Sequence, residues 1–193
     1  MLSVVLALLC PFSACVSATS LAPPVLPRCF SELSAFSLLP SAAEFINATH
    51  IRQPLLSPSD APAFVAMPSC EEQVLMALRC AAREGLQVAA KGGGHSFPGY
   101  SRVPAPGFVI SMEKMTKVHL NQSNHVVSVT GGAQWHDVYH AFSLSPNTYQ
   151  VVGGLCPSVG VIAYSQGGGV GPLARAYGMA TDNVLSYLSL IHI

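Results

Sequence analysis

Two glycine-rich stretches of the chain each contain one nucleophilic side chain. His95 follows three glycines in Lys91–Ser96, and Cys156 lies within the longer stretch Gly153–Gly171. A neutral imidazole and an ionised thiol can each form a bond with an electron-poor carbon atom. Glycines beside these side chains let the backbone approach a ligand closely, because no Cβ atom intervenes. The two stretches together therefore predict a large cofactor held by two loops.

The first stretch, taken alone, has two interpretations. Successive backbone N–H groups in a glycine turn after a strand form an anion-binding concavity, which suits a pyrophosphate. The alternative is a tight turn with a polar tip, where His95 has no ligand and Cys156 is a disulfide partner. The stretch is not a P-loop, because no Gly-Lys-Ser follows it, and it does not open a helix as a dinucleotide fingerprint does.

A β-α-β unit is predicted immediately before the first glycine-rich stretch. Its strands are Ala63–Met67 and Leu86–Ala90, which such a connection makes parallel. The helix between them is expected to start with Ser69 as its cap and Glu72 reaching back to it. Gly85 is expected to end that helix.

The other predicted elements are short strands and helices in mixed order. Each rests on alternating or helically spaced apolar residues between polar or glycine-containing segments. Strands are predicted over Phe108–Ser111, Lys117–Leu120, Val126–Thr130 and Tyr149–Val152, and helices over Ser31–Leu38 and Trp135–Phe142.

The composition excludes two classes of partner. The 193 residues carry 9 Lys and Arg against 9 Asp and Glu, so the net charge is zero and no basic surface for nucleic acid is implied. After the N-terminus, no apolar stretch reaches the roughly 20 residues that a membrane-spanning helix needs.

The N-terminus indicates export. Residues 1–18 are predicted to be a signal peptide cleaved after Ala18, although no Lys or Arg precedes its apolar run; the alternative is a buried N-terminal helix. Residues 19–60 are expected to form an N-terminal arm. The sequons at Asn47 and Asn121 fit a secreted glycoprotein.

Export changes the interpretation of the cysteines. Cys29, Cys70, Cys80 and Cys156 remain after cleavage of the leader. In an oxidising compartment these four residues suggest one or two disulfides.

A pair of histidines suggests a different chemistry. His136 and His140 are spaced i and i+4 in a predicted helix, as in zinc proteases. Asp137 stands where such sites use glutamate, however, and no third ligand is evident. A zinc hydrolase is therefore kept as an alternative to a structural helix, and no metal ligand is assigned.

Three segments together resemble a known flavoprotein domain. KGGGHS at Lys91–Ser96, GGLCPSVGVIAYSQGGGVG at Gly153–Gly171 and PLARAYGMATDNVL at Pro172–Leu185 are similar to the FAD-binding domain of vanillyl-alcohol-oxidase-type (PCMH-type) proteins, in the berberine-bridge-enzyme-like branch. The likeness covers roughly Ala61 to Ser186, and we assign the domain to residues 61–193. It implies an α+β fold of two α+β subdomains that is incomplete at its C-terminus.

The resemblance implies covalently bound FAD. In that family the histidine of the first loop bonds to the 8α-methyl carbon of the flavin and the cysteine of the second loop bonds to C6. His95 and Cys156 occupy those positions. The predicted cofactor-binding residues are Gly92, Gly93, Gly94, His95, Ser96, Cys156, Val159, Gly160, Gly167, Gly168, Gly169, Asp182 and Asn183.

The resemblance also implies an activity and a disulfide. Hydride transfer from an alcohol or sugar carbon to flavin N5 is expected, with oxygen as the electron acceptor. The catalytic base and the substrate-binding residues are expected in a later domain, so residues 1–193 alone are expected to be inactive; the alternative is a non-catalytic flavin-binding fragment.

Cys29 and Cys80 are the expected disulfide, which leaves Cys70 without a cysteine partner.

Overall fold

The computed structural model describes residues 2–4, 26–51 and 61–190, and it confirms a mixed α+β chain. Short 3-10 helices lie at Ser34–Phe36, Met112–Lys114 and Ala180–Asn183. In chain order the other elements are β1 (Leu2–Val4), α1 (Phe30–Leu33), β2 (Ser37–Leu38), α2 (Ala43–Thr49), β3 (Val65–Ala66), α3 (Glu71–Glu84), β4 (Val88–Lys91), β5 (Phe108–Ser111), β6 (Val118–Asn121), β7 (Val126–Val129), α4 (Trp135–Ser143), α5 (Val161–Gln166), α6 (Ala174–Tyr177) and β8 (Val184–Tyr187).

The chain forms two compact units, each with a four-stranded sheet. Of the described residues, the first unit contains 2–4, 92–95 and 112–190, and the second contains 26–51, 61–91 and 96–111. The expectation of two α+β subdomains is therefore confirmed.

The second unit contains the predicted β-α-β arrangement with one strand inserted. Its strand order is β2-β3-β5-β4, in which β5 pairs in parallel with both β3 and β4. The two predicted strands are thus parallel but not adjacent. All four residues of β5 are buried, as expected for a strand between two parallel neighbours.

Helix α3 begins one residue later than its sequence pattern suggested. Cys70 is the N-cap residue and makes no side-chain capping bond. Gln73, rather than Glu72, reaches back, and its Oε1 accepts a hydrogen bond from the backbone N–H of Ser69 at 2.7 Å. The predicted Ser69–Glu72 pair is therefore wrong, because Gln73 occupies the third helical position. Gly85 ends the helix in the left-handed region with a φ of 63°, as predicted.

The beginning of the second unit is covalently joined to α3. A disulfide links Cys29 to Cys80 with a Cα–Cα distance of 5.7 Å, which confirms the pair implied by the family resemblance. Both residues are buried. Phe64 stacks on Phe108 nearby in the core of this unit, with ring centroids 4.4 Å apart.

The predicted helix over Ser31–Leu38 is shorter than expected. It is α1 followed by a 3-10 turn, and Ser37–Leu38 forms β2. Strand β2 pairs antiparallel with β3, so the end of the segment adopts extended backbone to reach the sheet.

The sheet of the first unit has the order β6-β7-β1-β8. Strands β6 and β7 form an antiparallel hairpin, and β1 pairs in parallel with β7 and β8. Residues 2–4 belong to the predicted signal peptide, of which residues 5–18 lie outside the described residues, as do 19–25 and 52–60 of the predicted arm. Cleavage after Ala18 would remove β1, and it stays a prediction.

The core of the first unit lies where α4 and α5 pack on the hairpin. Trp135 and Val138 of α4 and Val161 of α5 are fully buried against Val127 and Val129 of β7. No helix among the described residues is long and apolar enough to cross a membrane.

The predicted strand Tyr149–Val152 is wrong. The segment is not extended sheet, since the backbone turns there and the N–H of Gly153 bonds to the carbonyl of Val151 at 2.8 Å. Only Val152 of these four residues is buried. The apolar run therefore marks a loop with a single buried side chain.

The disulfide gives a prediction for the stability of the second unit. Its cysteines are 51 residues apart in sequence, so replacing both by alanine is expected to lower the free energy of unfolding by about 4 kcal/mol through loop entropy. Urea denaturation measures this loss. The matched control is Cys70→Ala, because Cys70 is not disulfide-bonded, and it should cost less than about 1 kcal/mol. Equal midpoints for the double variant and the native chain would contradict the prediction.

Candidate functional site

The two glycine-rich stretches contact each other through their backbones. A Cβ atom on Gly93 would lie 2.6 Å from the backbone nitrogen of Gly160 and closer still to the carbonyl oxygen of Ser158. A Cβ atom on Gly160 would in turn lie 3.1 Å from the nitrogen of Gly93. Because the interior is closely packed, only glycine at position 93 permits this approach without displacing backbone. The contact holds the histidine loop (Gly92–His95) against the cysteine loop (residues 155–160).

This contact brings the two predicted nucleophiles to one hydroxyl group. Nε2 of His95 lies 3.0 Å from Oγ of Ser158, and Sγ of Cys156 lies 3.5 Å from the same oxygen. His95 and Ser158 are 63 residues apart in sequence. Sequence reasoning missed Ser158; the signal that could have identified it is a hydroxyl two residues after the cysteine.

The first turn of α4 holds the cysteine loop. The backbone N–H of Trp135 donates to the carbonyl of Val159 at 3.1 Å, and that of His136 donates to the carbonyl of Pro157 at 2.9 Å. The first N–H groups of a helix have no partner within it, so the loop carbonyls satisfy them. The helix start thereby sets the position of the segment that carries Cys156.

The histidine pair of α4 does not form a metal site among the described residues. His136 directs Nδ1 at the carbonyl of Pro157 at 3.2 Å and Nε2 at Asp137 Oδ1 at 3.0 Å. In residues 26–51 and 61–190, no three His, Cys, Asp or Glu residues are grouped so that they could hold a metal ion. The contacts of His136 support the structural alternative for this helix.

Three aromatic rings pack against the two glycines just before the cysteine loop. Trp135 stacks on Tyr139 at a centroid distance of 5.8 Å and meets Tyr164 edge-on at 5.1 Å. The hydroxyl of Tyr139 donates to the carbonyl of Gly154 at 2.6 Å. A Cβ atom on Gly153 would lie 2.8 Å from the ring of Trp135, so the small residue makes room for the rings.

The environment of these rings widens the pH range over which both phenols stay protonated. Burial raises the pKa of Tyr139, and the neighbouring Tyr164 raises it further. Burial also raises the pKa of Tyr164. Tyr139 therefore remains a hydrogen-bond donor to Gly154 throughout the neutral range.

Glycines 168 and 169 make room for side chains of their own unit. They have φ values of 99° and 75°, in the left-handed region that favours glycine. A Cβ atom on Gly168 would collide with the side chain of Met179, and one on Gly169 would lie 2.6 Å from Ala180 Cβ. The predicted approach of Gly167, Gly168 and Gly169 to a cofactor stays a prediction, since packing alone explains the latter two.

The side chains of Asp182 and Asn183 stabilise their own turn. Oδ2 of Asp182 accepts a hydrogen bond from the N–H of Met179 at 2.7 Å. Nδ2 of Asn183 donates to the carbonyls of Tyr177 at 3.0 Å and Met179 at 2.9 Å. These bonds hold the turn of residues 177–183 that precedes β8, and the cofactor contact of both residues stays a prediction.

The other predicted residues of the first stretch have different surroundings. A Cβ atom on Gly92 would lie 3.6 Å from the carbonyl oxygen of Gly131, an ordinary contact, and Gly94 is buried with a φ of 70°. Ser96 belongs to the second unit, where its Oγ accepts a hydrogen bond from the N–H of Tyr100 at 3.1 Å.

A cavity of about 370 Å³ opens beside Cys156. Most of its lining side chains are apolar. Two of them, Leu155 and Val170, are largely exposed to solvent, at 84% and 73%. The buried hydroxyl of Tyr164 and the indole nitrogen of Trp135 have no hydrogen-bond partner among the described residues. Such a cavity suits a flat, largely apolar ring next to the thiol. It is lined by Gly154, Leu155, Cys156, Val159, Tyr164, Val170, Gly171 and Pro172.

Comparisons with known proteins identify the family of this chain. A family model described as "FAD binding domain" matches residues 62–190. The chain is 31% identical over 125 residues to reticuline oxidase of Papaver somniferum, covering 64% of this chain and 23% of that protein. The chain spans about a quarter of the length of the curated relatives it matches.

Solved structures show the same fold. Physcomitrella patens BBE-like 1 has a TM-score of 0.71 and 28% identity, with 82% of this chain and 34% of that chain covered. Wild-type Phl p 4.0202, a glucose dehydrogenase, has a TM-score of 0.72 and 26% identity, with coverages of 81% and 34%.

The backbone contact between the loops predicts unequal effects of two neighbouring substitutions. Gly93→Ala is expected to lower the free energy of unfolding by about 2 kcal/mol or more, because the new methyl group meets backbone atoms of the cysteine loop. Gly92→Ala is the matched control and should change stability by less than about 1 kcal/mol. Urea denaturation of both variants provides the comparison. Equal losses at the two positions would mean that the loops do not approach in this way.

The hydrogen bond of Tyr139 gives a prediction with a pH dependence. Tyr139→Phe should lower the free energy of unfolding by about 1–2 kcal/mol at neutral pH, since the carbonyl of Gly154 loses its donor. The raised pKa means that the native chain binds the phenol proton more tightly than the unfolded chain does. This stabilisation is complete below the unfolded pKa of about 10 and is lost as the pH rises through the native pKa.

The alkaline loss of stability should therefore be smaller in Tyr139→Phe than in the native chain. Denaturation curves at neutral pH and above pH 10 measure the difference. Tyr100→Phe is the control, because the Tyr100 side chain is exposed and should leave both curves unchanged. Identical alkaline behaviour of Tyr139→Phe and the native chain would rule out this contribution.

Proposed function

Because this chain belongs to the FAD-binding domain family and has berberine bridge enzyme-like relatives, we propose that its protein is a secreted FAD-dependent oxidase of small alcohols or sugars. The observation that carries the proposal is the meeting of His95 and Cys156 at one hydroxyl group. Two nucleophiles on two glycine-rich loops match the covalent attachment of a flavin.

The described residues fit FAD. The thiol of Cys156 lies at the edge of an apolar cavity that suits the isoalloxazine ring. We assign Cys156 to the C6 bond and His95 to the 8α bond. The backbone of residues 92–96 would hold the pyrophosphate. Each attachment would replace one C–H bond of the flavin and would release two electrons and two protons, for which dioxygen, reduced to hydrogen peroxide, would be the acceptor.

The chemistry of the proposed reaction belongs to the cofactor. FAD supplies the hydride acceptor when bound, and the chain's own residues hold it in place and keep the cysteine loop rigid. The catalytic base is not assigned to any residue of this chain. The alcohol or sugar substrate and the oxygen acceptor are part of the proposal, and two similar proteins carry the names reticuline oxidase and glucose dehydrogenase.

The electron acceptor can be determined separately from the substrate. An oxygen electrode and a reducible dye, each used with the same sugar or alcohol, distinguish an oxidase from a dehydrogenase. Flavin loading without turnover toward either acceptor would favour the alternative of a non-catalytic flavin-binding product.

The proposal also includes export of the protein from the cell. The Cys29–Cys80 disulfide supports an oxidising compartment, and the sequon residues Asn47 and Asn121 are both exposed. The intact mass of the exported protein, before and after glycosidase treatment, reports cleavage after Ala18 and the number of glycans.

Covalent attachment is tested by acid precipitation. The native protein should keep its yellow colour in the pellet, because two bonds hold the flavin. His95→Ala and Cys156→Ala should each keep it through the remaining bond, whereas the double variant should release free FAD into the supernatant. Absorbance of both fractions measures the outcome, with Cys70→Ala as the control that keeps both bonds. Complete release from the native protein would overturn the proposed attachment.

A further inference from the structure

We propose that Ser158 is a positioning residue that links His95 to Cys156 and makes the Cys156 thiol reactive. Its biological role rests on the proposed attachment of a flavin to Cys156, but its chemistry does not require the flavin. The proposal follows from the way one hydroxyl group, carried by the cysteine loop, lies between two groups that can exchange a proton.

A serine hydroxyl can connect two partners because it donates one hydrogen bond and accepts others. Oγ of Ser158 lies 3.0 Å from Nε2 of His95 and 3.5 Å from Sγ of Cys156, both within the usual limits for their atoms. The imidazole and the hydroxyl are half-buried, whereas the thiol is exposed at the cavity. The thiol is therefore accessible to a reagent while its hydrogen-bond partner is shielded.

The backbone on both sides of Ser158 is held in place. The carbonyl of Pro157 accepts the N–H of His136, and the carbonyl of Val159 accepts the N–H of Trp135. The carbonyl of Ser158 itself lies against Gly93 of the histidine loop. The hydroxyl consequently keeps one position between the two loops, which is what a link of this kind needs.

The proposed proton transfer is balanced. The proton of the Cys156 thiol moves to Oγ of Ser158, and the hydroxyl proton of Ser158 moves to Nε2 of His95. The hydroxyl is regenerated, and the products are a thiolate and an imidazolium, so the net charge of the three groups is unchanged. The thiolate is the nucleophilic form of cysteine, and the imidazolium stabilises it.

The same balance has a consequence for the order of flavin attachment. An imidazolium has no lone pair available for bonding, so the state that activates Cys156 leaves His95 unreactive. The two proposed bonds therefore form one after the other and not in a single step.

Alkylation of Cys156 in the full chain, prepared without flavin, tests the link directly. Iodoacetamide at neutral pH is the reagent, peptide mass spectrometry measures the rate at each cysteine, and Cys70 is the internal control. Native Cys156 should react several-fold faster than Cys156 of the same chain in concentrated urea. Equal rates for Cys156 in the native and the denatured chain would overturn the proposal.

Variants separate the link from a general effect on folding. Ser158→Ala should reduce the Cys156 rate to that of the denatured chain, and Ser158→Thr, which keeps a hydroxyl, should restore most of it. His95→Ala should reduce the rate equally, and the double variant with Ser158→Ala should be no slower than either single variant. Additive losses, or no rescue by threonine in a variant with a native urea midpoint, would overturn the proposal.

The result is independent of the proposed function. Coupled alkylation rates in a chain that fails to bind FAD would support the role of Ser158 and contradict the proposed flavin attachment. Additive losses in the alkylation rate in a chain that binds FAD covalently would support the proposed function and contradict the role of Ser158.

Discussion

The approach of the Gly93 backbone to that of the cysteine loop is the constraint on which the site depends. A Cβ atom at position 93 would overlap the carbonyl oxygen of Ser158 and lie 2.6 Å from the nitrogen of Gly160. At this separation the side chains on either side of the contact have little freedom. His95 and Ser158 meet because their backbones already do, so the chemistry of the site follows from a packing requirement of the main chain.

The cysteine loop is held by two different kinds of interaction. The start of α4 donates backbone hydrogen bonds to its carbonyls, which depends only on the helix being formed. Tyr139 adds a side-chain bond to Gly154, and burial keeps that phenol protonated. A helix that looked like a metal motif in sequence thus serves to place a thiol. The apolar cavity then lies beside a nucleophile on a fixed backbone.

The predictable parts of this structure are those encoded by neighbouring residues. Strand β5, the glycine that ends α3 and both glycine-rich loops follow from local patterns, and the family resemblance implied the Cys29–Cys80 disulfide. The features that were missed depend on distant residues. The insertion of β5 between β3 and β4, the contact of Ser158 with His95 and the packing around Gly169 all require partners that sequence spacing does not reveal. The false strand at residues 149–152 shows that an apolar run does not specify a pairing partner.

The chain path around His95 has a consequence for how this protein can evolve. Gly92–His95 is a tetrapeptide of the first unit, and the residues before and after it belong to the second unit. Neither unit is therefore a continuous stretch of gene. A single crossover could not exchange one unit for a homologous one, because the histidine loop of the first unit lies between two segments of the second. The two units are thus inherited together, as one interleaved stretch of gene.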